Sequence, residues 1–157
     1  MALLVGRHVN KIDRKGRVSV PKPFRAAFSG ADVGPQPLYL FPSFKYPALE
    51  GCGEDVMERL AASLDELDLF SDDQDDLAAV ILESATALTP DPEGRVILPA
   101  DLVEHAGLQG EAVFVGRGSR FQIWSPAAHA AHAAAQRDRA RARGATLKLR
   151  TKAGDDD

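Results

Sequence analysis

Asp13-Arg14-Lys15-Gly16-Arg17-Val18-Ser19-Val20-Pro21 decides the fold, because the same arrangement returns without gaps as Asp91-Pro92-Glu93-Gly94-Arg95-Val96-Ile97-Leu98-Pro99, 78 residues later. Asp, Gly, Arg, Val and Pro recur at matched positions, which are those a tight hairpin constrains. An Asp at the head of a turn accepts a hydrogen bond from the backbone two residues on. A Gly three residues later takes the positive φ that closes a three-residue hairpin loop with a bulge. Asp13 and Gly16, and Asp91 and Gly94, are therefore the turn-forming residues of two copies of one unit. Beyond each turn Val18 and Val20, then Val96 and Leu98, alternate with Arg17 and Ser19 and their counterparts, the period-two signal of a half-buried strand.

Outward from the turns, Pro21 and Pro99 stop the strands, and short helices are predicted over residues 23–28 and 100–106, ended by Gly30 and Gly107. Apolar strands close the copies at residues 38–41, and at 112–115 and 121–124. The second copy is thus expected to hold one strand more, with the Gly- and Pro-rich residues 29–37 marking a shortened hairpin in the first. Between the copies Val56, Leu60, Leu64 and Leu67 share one helical face, which predicts an amphipathic helix over residues 54–69. Ser71-Asp72-Asp73-Gln74 has the form of a capping box, so a second helix begins there. The expected division is a first repeat over 1–49, an acidic helical hairpin over 50–83, a second repeat over 84–126 and an Ala/Arg-rich tail over 127–157. The tail is predicted to be helical in part, weakly docked through alanine alone, with a disordered end.

The net charge of −4 conceals a segregated distribution. Residues 1–28 carry seven cations against Asp13 alone, whereas residues 50–76 carry eleven acids against Arg59 alone. Residues 137–152 turn basic again, with seven cations against Asp138. A domain charged in this way can orient itself on a polyanion despite a negative total. No apolar run approaches the roughly 20 residues of a membrane-spanning helix, and the stretch over residues 2–5 is too short for a signal peptide. The single cysteine, Cys52, reads as a small buried side chain and fits a cytoplasmic setting.

Two Asp-x-x-Gly-Arg turns, each followed by an alternating strand and Pro, flanking a helical hairpin, resemble the MraZ family over roughly residues 1–126. Arg120-Phe121-Gln122-Ile123-Trp124 is similar to the corresponding strand of proteobacterial members. The resemblance implies an α+β fold in which two swapped-hairpin units of the AbrB type intertwine into a pseudo-two-fold β-barrel. It also implies a ring-forming homo-oligomer on the nucleoid that binds short direct repeats in DNA upstream of the division and cell-wall gene cluster, usually repressing it.

Arg14 and Lys15 occupy the outermost positions of the first hairpin and are expected to reach DNA. Two readings are open for Arg17: it presents its planar fork to guanine or phosphate, or it pairs with Asp13 across the turn. The same choice holds for Arg95 and Asp91. Arg7, Lys11, Lys22 and Arg25 are candidates for positioning on phosphates. The second turn has Pro92 and Glu93 where the first has Arg14 and Lys15, so the first copy is expected to read DNA and the second to complete the barrel and the subunit contacts. The Arg137–Arg143 run reads first as a solvated helix face and second as a nonspecific DNA contact. His129 and His132 lie at i, i+3 without accompanying ligands, and His8 and His105 stand alone. With no nucleophile grouping or phosphate loop, no catalysis, cofactor, metal or small-molecule ligand is expected. The alternatives are an oligomeric scaffold that binds a protein through its acidic hairpin, or an AbrB-type antitoxin autoregulating its own operon.

Overall fold

The computed structural model describes residues 3–28 and 36–151, and within them the protein is an α+β fold. The predicted stop at Gly30, most of the 29–37 stretch and the last residues of the tail lie outside the described residues. The first copy runs β1 (Arg7–Lys11), β2 (Arg17–Ser19), α1 (Lys22–Phe28), β3 (Leu38–Pro42) and β4 (Ala48–Gly53). The second runs β5 (Thr86–Leu88), β6 (Arg95–Ile97), α4 (Ala100–Ala106), β7 (Glu111–Gly116) and β8 (Phe121–Trp124). The two copies therefore contain the same five elements. The expected extra strand of the second copy is corrected by β4, which lies across the division drawn at residue 50.

The copies exchange strands. β1 pairs with β7, β5 with β3, and β4 with β8, all antiparallel, giving a six-stranded sheet in the order β1-β7-β8-β4-β3-β5. β2 and β6 form a separate two-stranded ribbon with Val18 opposite Val96. The expected closed barrel is not formed by strand pairing among the described residues, since β1 and β5 end the sheet as two open edges.

One face of the sheet and the ribbon enclose the main core. Val18, Val20, Val96 and Leu98 from the alternating strands meet Phe24 of α1, Leu102 and Ala106 of α4, and Leu40, Leu49, Phe114, Phe121 and Ile123 of the sheet, all almost fully buried. Removing a side chain such as Phe24 from water contributes about 1.5–3 kcal/mol, and its ring meets those of His8, Phe114 and Phe121 at centroid distances of 5.2, 6.3 and 5.5 Å. Phe121 lies flat over β4, where only Gly51 leaves room for it. As predicted, Gly107 ends α4 in the left-handed region, at φ 61.

The opposite face of the sheet carries two smaller clusters. α2 (Glu54–Asp65) and the π-helical turn Ala79–Glu83 cover one end, packing Met57, Val56, Leu60 and Ile81 against Phe41 and Cys52. The helix predicted over residues 54–69 ends four residues early, and the chain turns at Phe70, whose φ is 71, before Ser71 caps α3 (Asp72–Ala78) by accepting the Gln74 N–H at 3.1 Å. The other end is covered by α5 (Pro126–Arg143). Its docking is not through alanine alone. Ala128 joins Ala48, Val113 and Trp124, and His132 stacks on Trp124 with ring centroids 4.4 Å apart and meets Tyr46 at 4.5 Å.

Candidate nucleic-acid interface

Both Asp-x-x-Gly-Arg turns fold to the same backbone. In the first, Asp13 Oδ1 accepts the N–H groups of Lys15 and Arg17, both at 2.9 Å, and the Asp13 carbonyl accepts Gly16 N–H at 3.0 Å. In the second, Asp91 Oδ1 accepts Glu93 and Arg95 N–H groups at 2.9 Å and its carbonyl accepts Gly94 N–H at 2.8 Å. Gly16 and Gly94 take φ 79 and 83, where a side chain would be strained. Backbone N–H donation, above all from Arg17 and Arg95, holds the Asp13 and Asp91 carboxyls below the ordinary carboxylate value.

The arginines complete each turn. Arg17 Nε donates to Asp13 Oδ2 at 2.6 Å, and Arg95 Nε to Asp91 Oδ2 at 3.0 Å. The pairing reading of both arginines is thus present in the structure. Each arginine side chain keeps about 30% of its surface exposed, so pairing fixes its direction without fully burying it. Arg95 also contacts Glu93 at 3.3 Å, a partner that Arg17 lacks because the matching residue is Lys15. At the tips, Arg14 and Lys15 are exposed, as are Pro92 and Glu93. The two turns thus share their backbone and differ in tip charge.

The remaining cations of residues 1–28 are spread over β1 and α1. β1 places Arg7, Val9 and Lys11 outward, opposite Val115, Val113 and Glu111 of β7, which puts both cations on the sheet face that carries α5. Lys22 is exposed at the start of α1. Arg25 crosses to the other copy: its Nε donates to the Val20 carbonyl at 3.0 Å and its guanidinium lies against Gly94. In that position it buttresses the second turn. The strand exchange explains the dispersal, because Val20 N–H bonds the Gly94 carbonyl at 2.9 Å and so delivers α1 to the turn of the opposite copy. By the same exchange, Leu98 N–H bonds the Gly16 carbonyl at 2.9 Å, and Val103, Glu104 and Gln109 line the flank of the first turn.

Comparison with known proteins decides the family. "Transcriptional regulator MraZ" of Gluconobacter oxydans is 46% identical over 142 residues, covering 90% of this chain and 87% of that protein. The chain belongs to the MraZ family. A MraZ relative from Gluconacetobacter diazotrophicus is 43% identical over 150 residues, covering 95% of this chain and 91% of its own, and one from Parvibaculum lavamentivorans is 49% identical over 129, covering 82% and 79%. A family model described as "MraZ protein, putative antitoxin-like" matches residues 81–151, which span the second MraZ turn and α5. Among the described residues of this MraZ chain no group of three or more His, Cys, Asp or Glu is arranged to hold a metal ion, and no helix is long and apolar enough to cross a membrane.

Sequence reasoning missed three features of this surface. The Arg25 contact with Gly94 joins residues far apart in the chain and has no local signal. Trp124 Nε1 donates to Gln122 Oε1 and Gln122 Nε2 to Glu50 Oε2, both at 3.0 Å, forming a largely buried polar line across the centre of the sheet. The histidines of α5, considered only as metal ligands, are aromatic anchors; burial first, then neighbouring arginines including Arg117, lower both their pKa values.

Proposed function

We propose that the protein is a sequence-specific DNA-binding transcriptional regulator, a repressor of the division and cell-wall gene cluster acting on the nucleoid, whose first turn reads DNA. The observation that carries this is the pair of turns with one backbone and opposite tips: Arg14 and Lys15 exposed on one, Pro92 and Glu93 on the other. In this reading Asp13 aims Arg17 as a fixed fork for guanine or phosphate, while Arg14 and Lys15 contact phosphates on either side. Arg7, Lys11 and Lys22 add longer-range attraction. Arg95, tied to both Asp91 and Glu93, serves the architecture with Arg25. The reciprocal pairing of β1 with β7 and β5 with β3 supports the swapped-hairpin description of the two units.

One such turn touches few phosphates, so useful affinity comes from several subunits, arranged as a ring, engaging direct repeats together. Recovering the DNA bound in cells tests the whole reading: a repeated motif upstream of division genes is expected, and recovered DNA without a shared repeat contradicts it. Altering the spacing between repeats should cost more affinity than altering one repeat, measured by gel shift, and equal losses contradict the multivalent ring. The antitoxin-like wording of the family model favours a second reading, an AbrB-type antitoxin autoregulating its operon. It predicts instead that recovered DNA is confined to the protein's own promoter and that depletion of the protein arrests growth.

A further inference from the structure

The strongest unassigned feature is the groove between α5 and the sheet. Arg137, Arg139 and Arg143 of α5 line it together with Lys45 from the β3–β4 loop and Arg117 from the β7–β8 turn. Three separate parts of the chain therefore bring five cations to one concavity. None of the five forms an ion pair with a carboxylate among the described residues. The only acid of α5 is Asp138. Like charges converging with no carboxylate paired to them raise the local potential and favour an anionic occupant.

The groove is also held in shape. His132 is stacked on Trp124 and Tyr46, and Lys45 lies 5.2 Å from the centre of the Tyr46 ring. Ser125 caps the helix by accepting the Ala128 N–H at 3.3 Å, and Gly144 closes it at φ 62. The arginines thus project from a docked helix of 18 residues, and a loop and a turn anchored in the sheet supply the opposing cations. A row of arginines and a lysine along an open groove matches a chain of phosphates spaced along a backbone. An extended row of this kind fits a run of phosphates better than it fits one compact anion.

Resting on the DNA-binding reading above, we propose that this groove is a second phosphate-binding surface that takes the phosphodiester backbone of duplex DNA, at a place separate from the first turn. It reads no sequence, and it adds affinity at operator and random DNA alike.

The test is fluorescence anisotropy of the full chain with a random-sequence duplex and with the operator recovered from cells, over a series of salt concentrations. The triple variant Arg117→Ala, Arg139→Ala, Arg143→Ala should bind both duplexes about tenfold or more weakly and lower the slope of log affinity against log salt by about two to three, since each lost phosphate contact removes about 0.9. Its preference for operator over random DNA should stay unchanged. The matching Arg→Lys triple variant should keep most of the slope, and thermal melting confirms that both fold. An unchanged slope overturns the proposal. If that result comes with a smaller species on gel filtration, the groove belongs instead to a contact with the acidic hairpin of a second copy. The variant Arg14→Ala, Lys15→Ala separates this claim from the reading of the first turn: a slope lowered by the groove variant alone upholds the groove and removes the turn, and a slope lowered by the turn variant alone does the reverse.

Discussion

The two aspartates that head the turns each do three jobs with one carboxylate: two backbone N–H groups on Oδ1 and an arginine on Oδ2. Their native pKa values lie below the ordinary 3.8. The unfolded chain therefore takes up protons at a higher pH than the native one. The stabilisation is fully present above about pH 4 and is lost as pH falls through the depressed values. Thermal melts taken from neutral pH towards pH 3 should lose stability on acidification, and the Asp13→Asn, Asp91→Asn variant should start less stable with a flatter profile. An equally steep profile in the variant contradicts the assignment. Cys52 offers a second check, because burial first and Glu50 second push its thiol up to about 11. It should resist alkylating reagents in the native protein at neutral pH and react fully after denaturation; rapid native labelling contradicts the packing of β4 on Met57. The turns were legible in the sequence because their hydrogen bonds span at most four residues. The placement of Arg25 and Lys22 was not, since it follows from a strand exchange that local pattern does not encode.

Among the elements, β4 shows why a strand can be invisible to hydrophobic pattern. Ala48-Leu49-Glu50-Gly51-Cys52-Gly53 carries two glycines and a glutamate, yet each is required by a neighbour: Gly51 for the Phe121 ring, Gly53 for the Phe28 ring and Glu50 for Gln122. Gly51→Ala forces that ring aside and should cost about 1–3 kcal/mol, as overpacking a core does; chemical denaturation measures it, and a neutral result contradicts the close approach. α5 was mistaken in the opposite direction, since its alanine-rich composition conceals two imidazoles on the Trp124 ring. Replacing His132 by Ala should remove about 0.5–1.5 kcal/mol of ring contact and shift the Trp124 emission to longer wavelength. Acid should act similarly. The pKa values of His129 and His132 are lowered by burial and by Arg7, Arg117, Arg139 and Lys45, so protonation favours the undocked helix, and docking is fully present at neutral pH and weakens as pH falls below about 6.5. The emission of the single tryptophan, followed from neutral pH to about pH 5, should shift in the parent chain and not in a His129→Gln, His132→Gln variant; identical traces contradict the stacked arrangement.

At the scale of the molecule, the repeat in the sequence becomes a mutual dependence in space. β1 has its partner in β7, β2 in β6 and β4 in β8, so neither copy can satisfy its backbone alone. A chain ending at residue 83 is expected not to fold, and a cooperative thermal transition from that fragment contradicts the exchanged pairing. The same duplication leaves the two turns free to diverge, one with a cationic tip and one with a tip of Pro92 and Glu93. That inequality is the centre of the functional account, and because both turns share one backbone their tips can be exchanged with little disturbance to the fold. The most direct measurement is operator affinity across a salt series for two variants, Arg14→Pro with Lys15→Glu, and Pro92→Arg with Glu93→Lys. Loss of most operator binding and a lowered salt slope in the first variant, with binding retained in the second, is the result the account predicts. Retained binding in the first variant, or a loss confined to the second, would contradict it.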